Sequence, residues 1–184
     1  MRHPDIAPQE ALTPPLERIV IASSDDTVRL LQLVPGDAAW YRGFIAEDPD
    51  HFRQFGDTTA DKYPDVESVR RSIESPKDPD KLRFGDWDGD TPVASHNLTP
   101  KGDGRAEIGY WVAKRHTGRH YGTRGLRLLA NWALTKGGYD EVYCDIVVGN
   151  EASRRTAAGA AMTYAGEVID EEGRQLWRYT LSRD

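Results

Sequence analysis

The sequence predicts a mixed α/β domain, and three observations lead to this fold class. Short apolar runs with the period of a strand alternate along the chain with segments whose apolar residues recur at helical spacing. Clusters of Gly, Pro, Asn and Asp separate these segments, as turns between elements require. The chain has 184 residues, of which 38% are hydrophobic, so one domain can bury a core that needs no disulfide or metal.

The N-terminal half begins with an arm, a hairpin and a helix. Residues 1–16 are rich in Pro and show no pattern, so we expect an irregular arm ahead of a single domain over residues 17–184. Two apolar runs at 18–22 and 27–34 flank a polar turn and predict a β-hairpin. The Pro-Gly-Asp that follows ends the strand and starts a helix through about Glu47.

The middle of the chain predicts short helices and then three strands. Residues 48–63 are polar with scattered aromatics, typical of a loop or short helix, and Asp65 begins a second helix that ends before a proline. Strands at 81–88 and 91–98 flank an Asp-Gly-Asp turn, which is a hairpin signal. The strand at 105–113 is apolar on both faces, as expected in the centre of a sheet.

The C-terminal part predicts a loop, two helices and three strands. Two glycines interrupt the polar loop at 114–123, and the next helix has apolar residues at i, i+3, i+4, i+7 and i+8 before a Gly-Gly stop. A strand of the buried type covers 141–148. Asn150 is placed to cap a short alanine-rich helix, and strands at 163–170 and 174–181 form a final hairpin.

The composition excludes several classes of protein. One cysteine, Cys144, rules out a disulfide framework and a zinc site made of several thiolates, and we expect it to be a small core residue. His116 and His120 lie on a loop without the second shell of a metal site, so no metal is assigned. No run approaches the roughly 18 apolar residues of a membrane span. The N-terminus also lacks an apolar signal core, so we expect a cytoplasmic protein that binds no membrane.

The charge is distributed unevenly along the chain. The net charge is −6, but residues 1–92 carry 11 basic and 19 acidic residues, whereas residues 93–184 carry 13 basic and 11 acidic residues. Seven Lys or Arg residues lie within 101–127, against two acids. One basic segment in an acidic protein argues against nucleic-acid binding and fits one anionic ligand, although a solvated charged loop explains the same pattern.

The loop at 114–123 has an arrangement that binds anions. A strand, a glycine-containing loop and a helix N-terminus direct backbone amides and the positive end of the helix dipole to one place. Gly118 and Gly122 allow close approach of the backbone to a ligand, and Arg119 and Arg124 can add donors for phosphates. The loop matches neither the dinucleotide-binding motif nor the P-loop. Glycine in such turns also serves purely structural purposes, and that alternative stays open.

Five segments follow one another in a distinctive order. They are EIGYWV at 107–112, HTGRHYGT at 116–123, the amphipathic helix, EVYCDIVV at 141–148 and NEASRR at 150–155. The series resembles the GNAT superfamily of acyl-CoA-dependent N-acyltransferases, and within it the RimJ/RimL-type ribosomal-protein N-terminal acetyltransferases. The resemblance implies a mixed, mostly antiparallel sheet of six or seven strands with helices on both faces. It also implies that two neighbouring strands, those at 105–113 and 141–148, splay apart to form a cofactor cleft.

The resemblance further implies acetyl-CoA as the acyl donor. In the family, the loop after the EIGYWV strand cradles the cofactor pyrophosphate, the splayed strands hold the pantetheine arm, and the Asn-x-x-Ser at 150–153 approaches the reacting sulfur. Carried over position by position, the expected cofactor contacts are Trp111, Val112, Gly118, Arg119, His120, Tyr121, Gly122, Thr123, Arg124 and Asn150.

Two stretches depart from the family pattern. The family loop usually begins with Arg or Gln and has a central Gly, where this chain has Thr117 and His120. If the central position requires a positive φ, histidine costs about 1 kcal/mol there. Further along, Ala161 replaces a usual Gly and Ala165 replaces a Glu that is a base candidate in some members. That base is therefore not carried over.

Two carboxylates are candidates for the base that amine acylation needs, because an alkylammonium has no lone pair. Asp145 interrupts an apolar strand, where an ionised carboxylate is costly unless it is hydrogen-bonded or functional. It is either the base or a structural partner of an Arg or of the backbone. Glu107 begins its strand facing the expected cleft, where it either positions a water as a catalytic residue or is an ordinary strand-end acid.

Hydroxyl groups are the candidates for the acid. Through the resemblance, Ser153 is the leading proton donor to the departing thiolate, whereas its plain role is that of a first-turn residue behind the cap Asn150. Tyr143 and Tyr164 are alternative acids, for which core packing is the simpler explanation. His96 is expected to be a satisfied histidine in the core or at the cleft edge.

The predicted function is the transfer of an acetyl group from acetyl-CoA to a primary amine by direct attack in a ternary complex. The acceptor is either a protein or peptide N-terminus or a small amine, including an amine-bearing antibiotic. Five acids lie where such folds build the acceptor wall, and they either favour a cationic acceptor or are merely solvated. These acids are Asp48, Asp50, Asp57, Asp61 and Asp65.

Two other classes of function remain as alternatives. The altered loop and the missing Glu also suit a GNAT-fold module that binds acyl-CoA without turnover. A nucleic-acid binder would use the basic loop, but nothing outside that loop is basic enough to support it. A homodimer is compatible with the sequence, which does not fix the oligomeric state.

Overall fold

The computed structural model describes residues 18–24 and 27–183, and these residues are built around one sheet. Its strands are β1 (Val20–Ala22), β2 (Val28–Gln32), β3 (Leu82–Asp88), β4 (Thr91–Gly102), β5 (Arg105–Val112), β6 (Glu141–Val147), β7 (Thr163–Ile169) and β8 (Gln175–Ser182). Their order across the sheet is β1-β2-β3-β4-β5-β6-β8-β7. All neighbours run antiparallel except β5 and β6, which are parallel.

The α-helices of the described residues are α1 (Ala38–Glu47), α2 (Pro49–Arg53), α3 (Thr59–Lys62), α4 (Val66–Glu74), α5 (Tyr121–Thr135) and α6 (Glu151–Gly159). Side-chain caps fix three of their starts. The Asp48 carboxylate accepts from the His51 amide at 3.0 Å. The Asp65 carboxylate accepts from the Ser68 amide at 2.7 Å. The Asn150 side chain accepts from the Ser153 amide at 3.1 Å. Each bond satisfies a first-turn amide that has no acceptor within its own helix.

The parallel pair β5–β6 opens into a fork. Only residues 105–107 of β5 pair with residues 141–143 of β6. From Ile108 and Cys144 onward the two strands have no backbone ladder between them, although β5 stays paired with β4 and β6 with β8. The predicted splay between these two strands therefore starts after the third residue of each of them, and we call the opening the fork.

The two faces of the sheet carry different helices. On one face α5 packs across β1, β2, β4, β5 and β6, and a Cβ added to Gly125 would collide with Asp86 and His96. On the other face lie α1 and α4, and there Gly85 makes room for the Trp40 ring. Because Gly85 and Asp86 are adjacent in β3, they point to opposite faces. Helices therefore cover both faces, as predicted.

Two apolar clusters hold these layers together. The larger lies between α5 and the sheet and includes the fully buried Leu126 and Leu129. The smaller lies on the opposite face and joins Tyr41 and Ile45 of α1 to Val69 of α4. Burial of each large aliphatic side chain contributes about 1.5–3 kcal/mol, so the two clusters fix the helices that wall the fork.

The structure confirms the order of the predicted elements and corrects three details. The sheet has eight strands in the described residues, instead of six or seven, because the first and last hairpins both join it. Strand β4 continues to Gly102 instead of ending at Leu98, since β5 pairs along its whole extension. Helix α5 begins at Tyr121, inside the predicted loop. The predicted arm at 1–16 and part of the first turn lie outside the described residues.

Candidate active site

A cavity of about 980 Å³ passes through the fork. On one side it is walled by the first turn of α5 and by α6, and on the other by residues 51–59. Tyr110 and Trp111 of β5 both line it, and adjacent strand residues point to opposite faces. The cavity is therefore lined by residues from both faces of the sheet.

The first turn of α5 offers backbone amides to the cavity. His120, the N-cap, makes no side-chain cap hydrogen bond, and the amides of Tyr121, Gly122 and Thr123 have no acceptor within the helix. Gly118 (φ +77°) and His120 (φ +62°) both have positive φ in the turn that precedes the helix. Aligned amides and the positive end of the helix dipole favour a phosphate-like anion here. We call residues 118–123 the cradle.

The predicted cofactor residues do not all lie in the cavity wall. Those that line it are Trp111, Val112, Gly118, His120, Tyr121, Gly122, Thr123 and Asn150. Arg119 is exposed, and the Arg124 guanidinium lies over the Tyr121 ring at 5.0 Å from its centroid. The contact of these two arginines with an anion stays a prediction.

Tyr121 ties the cradle to the sheet. Its hydroxyl donates to the Asp88 carboxylate at 2.6 Å, and this hydrogen bond lowers the pKa of the Asp88 carboxyl. The bond joins the start of α5 to the end of β3. The position of the cradle is therefore set by a contact between residues 33 apart in the chain.

His116 is a cavity residue to which the sequence assigned no role. Its ring nitrogens have no hydrogen-bond partner among the described residues. Partial burial and the charges of Arg115 and Arg119 lower its pKa. The imidazole is thus neutral at neutral pH, beside a cradle suited to anions.

Two positions that resemble family glycines hold strained side chains. His120 has φ +62° and Ala161 has φ +66°, and this left-handed conformation costs a residue with a Cβ about 1–2 kcal/mol. Replacing His120 with glycine is expected to raise the free energy of unfolding by about 0.5–1 kcal/mol, because relief of strain exceeds the added entropy of the unfolded chain. Denaturant unfolding measures the change. His120→Ala is the matched control, since it keeps the Cβ, and an equal gain in both variants would contradict the explanation.

The end of β5 is held from the face opposite to α5. The Trp111 indole donates to the Tyr41 hydroxyl at 3.2 Å and packs edge-on against Phe52. His51 Nε2 donates to the Val112 carbonyl at 3.0 Å. His51 was not among the predicted site residues, because it lies 61 residues from its partner in a segment without clear periodicity.

Helix α6 brings a serine to the fork. The Ser153 hydroxyl oxygen lies 2.6 Å from the Tyr110 hydroxyl oxygen, and the Tyr110 hydroxyl also lies 3.1 Å from the main-chain carbonyl of Ser153. Burial raises the pKa of Tyr110, so its hydroxyl stays protonated. Tyr110 was missed as a site residue because the alternation of its strand predicts a core position.

The two candidate bases are in ion pairs of different strength. Asp145 accepts from Arg178 Nε and Nη2 at 2.8 and 2.7 Å, and Arg178 is its directly paired residue in β8. Glu107 contacts Lys101 Nζ at 2.8 Å, and the Lys101 side chain is 41% exposed. A two-point guanidinium pair holds a carboxylate more tightly than one exposed lysine. Glu107 is therefore the more available proton acceptor of the two.

The acids expected to form an acceptor wall mostly have other partners. Asp57 lines the cavity and accepts from the Thr59 amide at 2.6 Å. Asp48 and Asp65 accept from amides in the first turn of a helix. Asp50 and Asp61 pair with Arg53. Lys62 and Arg174 also line this side of the cavity. This side of the cavity is thus not a strongly acidic surface.

The remaining candidates lie at the edge of the site or outside it. Tyr143 is buried, and Tyr164 is 50% exposed on β7, away from the cavity wall. Cys144 lines the cavity but is buried, and burial raises the pKa of its thiol. Within the described ranges, no three His, Cys, Asp or Glu side chains are grouped so that they could hold a metal ion. None of the helices described is both long and apolar enough to span a membrane.

A family comparison covers most of the site. Residues 27–163 match the model of the acetyltransferase (GNAT) domain, a range that includes β2 to β6, the cradle and α6. No curated protein matches the sequence closely enough to count as a relative.

Solved structures share the fold at low sequence identity. RimL, the ribosomal L7/L12 α-N-protein acetyltransferase in complex with coenzyme A, is 14% identical with a TM-score of 0.78, covering 90% of this chain and 99% of its own. The ribosomal-protein-S5-alanine acetyltransferase from Vibrio fischeri is 11% identical with a TM-score of 0.77, covering 90% and 97%. AAC(6')-Ib in complex with ribostamycin and coenzyme A is 16% identical with a TM-score of 0.73, covering 86% and 94%.

Proposed function

The chain belongs to the GNAT acetyltransferase family, and from this premise we propose that it transfers the acetyl group of acetyl-CoA to the amino group of a peptide N-terminus. The transfer occurs by direct attack of the amine in a ternary complex. The observation that carries the proposal is the cavity through the fork, with an anion cradle on one face and both acidic and basic lining residues on the other.

The donor enters on the α5 face. The cradle amides bind the pyrophosphate, because they are aligned and have no acceptor within the helix. The pantetheine arm then runs along β5 in the fork, where the edge of β5 that faces β6 has no strand partner. This places the thioester near Tyr110 and Ser153. The coenzyme A in the RimL complex supports this donor.

The acceptor side favours a peptide N-terminus over a small polycation. A polyamine or an aminoglycoside needs several uncompensated carboxylates to bind its several charges. Here Asp145 is paired with Arg178, Glu107 contacts Lys101, and Lys62 adds a positive charge. A peptide N-terminus brings one charge, which must be lost before attack, followed by neutral backbone. RimL, a structural relative that acetylates such a terminus, supports this choice.

The reaction requires one base and one hydrogen-bond donor. The neutral amine forms a bond to the thioester carbonyl carbon, and Glu107 takes the amine proton directly or through one water. The carbon–sulfur bond then breaks, and its electron pair goes to the sulfur of coenzyme A. Ser153 donates a hydrogen bond to that thiolate. No covalent enzyme intermediate forms.

Glu107→Gln is expected to lower kcat about 100-fold, because general-base catalysis typically contributes a factor of that order. Its affinity for coenzyme A should stay unchanged, since Glu107 lies away from the cradle. Asp145→Asn is expected to lower kcat less than Glu107→Gln does and to lower the unfolding midpoint more. The reason is that it disrupts the two hydrogen bonds from Arg178 that join β6 to β8. Initial rates as a function of pH measure kcat in both variants, and thermal unfolding measures their midpoints. A larger kcat loss in Asp145→Asn would assign the base to Asp145.

A thiol-release assay tests the acceptor. The panel contains short peptides with every residue type at position one, the same peptides with an acetylated N-terminus, spermidine and ribostamycin. We expect thiol release with the free peptides to be at least tenfold faster than with the acetylated peptides, spermidine or ribostamycin. Double-reciprocal plots should give intersecting lines. Preference for spermidine or ribostamycin would overturn the acceptor, and parallel lines would overturn direct attack. Coenzyme A binding by calorimetry without any release would instead identify a binding module.

A further inference from the structure

A buried histidine–aspartate pair lies beneath the fork. His96 and Asp86 are both 0% exposed, and His96 Nδ1 lies 3.0 and 2.9 Å from the two carboxylate oxygens. Nδ1 therefore donates to the carboxylate, while Nε2 has no hydrogen-bond partner among the described residues. Burying two such polar groups costs free energy that an apolar pair would not.

The pair is packed against a residue of the cleft. His96 of β4 is directly opposite Tyr110 of β5, and the two rings are stacked with centroids 5.2 Å apart and an angle of 22° between their planes. A stacked cross-strand neighbour limits the rotation of the tyrosine ring. The bond to Asp86 in turn limits the rotation of the imidazole.

Tyr110 carries this constraint to Ser153. The Tyr110 hydroxyl is 2.6 Å from the Ser153 hydroxyl, and it keeps its hydrogen because burial raises the pKa of Tyr110. The single hydrogen of Tyr110 goes either to the Ser153 main-chain carbonyl, at 3.1 Å, or to the Ser153 hydroxyl oxygen, and in the second arrangement the hydrogen of Ser153 is free to point into the cavity. The direction of the serine O–H thus depends on which of the two Ser153 oxygens accepts the tyrosine hydrogen.

We propose that Asp86 and His96 are positioning residues that fix the Tyr110 ring, and that Tyr110 fixes the Ser153 hydroxyl against the sulfur of the acyl donor. This inference rests on the proposed function. As the carbon–sulfur bond breaks, Ser153 donates its hydrogen bond to the thiolate and Tyr110 donates to Ser153. The amine proton goes to Glu107, so neither hydroxyl has to lose its hydrogen.

Helix α5 provides an independent way to disturb the pair. A Cβ at Gly125 would collide with the Asp86 carboxylate and the His96 ring. Gly125→Ala therefore displaces the pair and leaves all its polar groups present. Gly43 lies on the exposed side of α1 with no atom within 4 Å of an added Cβ. Gly43→Ala makes the same chemical change on a helix and is the matched control.

Steady-state kinetics of a set of variants test the inference. Tyr110→Phe and Ser153→Ala are each expected to lower kcat about tenfold, with the KM for acetyl-CoA unchanged, and the double variant to lose no more than the worse single one. Asp86→Asn and Gly125→Ala are expected to lower kcat at least threefold with the same KM. Gly43→Ala should keep the wild-type kcat.

The outcomes separate this inference from the proposed function. Losses that multiply in the double variant, or folded Asp86→Asn and Gly125→Ala variants with wild-type kcat, would overturn the positioning role in an active enzyme. If Asp86→Asn fails to fold, the kcat of Gly125→Ala alone tests the positioning role. A wild-type protein that releases no thiol with any acceptor would overturn the proposed function and this inference together.

Discussion

Replacing Gly122 with valine is expected to weaken coenzyme A binding about 100-fold. Gly122 is the second residue of α5, and an added Cβ would already lie 3.2 Å from Val112 Cγ2 and 3.4 Å from Thr156 Cγ2. Two further methyl groups need room that these cavity residues occupy. The first turn of α5 then shifts, and the anion loses about one charge-assisted hydrogen bond, worth roughly 1.5–3 kcal/mol.

Calorimetry with coenzyme A measures this loss, and thermal unfolding confirms that the variant is folded. Gly43→Val is the matched control, because Gly43 lies on an exposed helix side away from the cavity. It should bind coenzyme A like the wild type. A folded Gly122→Val variant with wild-type affinity would place the pyrophosphate away from the cradle.

Replacing His96 with leucine is expected to lower the free energy of unfolding by about 3–5 kcal/mol, because it leaves the Asp86 carboxylate buried without its donor. Asp86 is 0% exposed and its described side-chain partner is His96. For a domain of this size the loss corresponds to a fall of about 10 °C in the unfolding midpoint.

The double variant Asp86→Val, His96→Leu separates the cost of the orphaned charge from the cost of lost packing. It removes the charge together with its partner, so more than half of the lost stability should return. Denaturant unfolding of both variants and the wild type measures the recovery. A single variant within 1 kcal/mol of wild type would contradict the account of the buried pair.

Much of the fold follows from local patterns in the sequence. The cap residues Asp65 and Asn150, the hairpin turn before β4 and the apolar spacing of α5 depend on neighbours within a few residues. The fork was predicted only through the resemblance, since nothing in either strand marks where their pairing stops. The start of α5 was placed too late, because it depends on the left-handed backbone of His120.

The site was predicted where it is made of one segment and missed where it is made of several. The cradle is continuous in the chain, so the glycines and the following helix identify it. The contacts of Tyr110 with Ser153 and of His51 with Val112 join residues 43 and 61 positions apart. Asp145 is paired with Arg178 at a separation of 33 residues, and strand register decides that pairing. Patterns within a few residues of the sequence do not predict contacts between residues so far apart in the chain.

The most direct test of the proposed function is to locate the acetyl group on a product. A peptide with a free N-terminus and an internal lysine is incubated with acetyl-CoA and the protein, and the product is sequenced by tandem mass spectrometry. We predict one acetyl group on the α-amino nitrogen and none on the lysine, with Glu107→Gln giving the same product about 100-fold more slowly. Acetylation of the lysine alone, or an unmodified peptide under conditions where acetyl-CoA binds, would contradict the account.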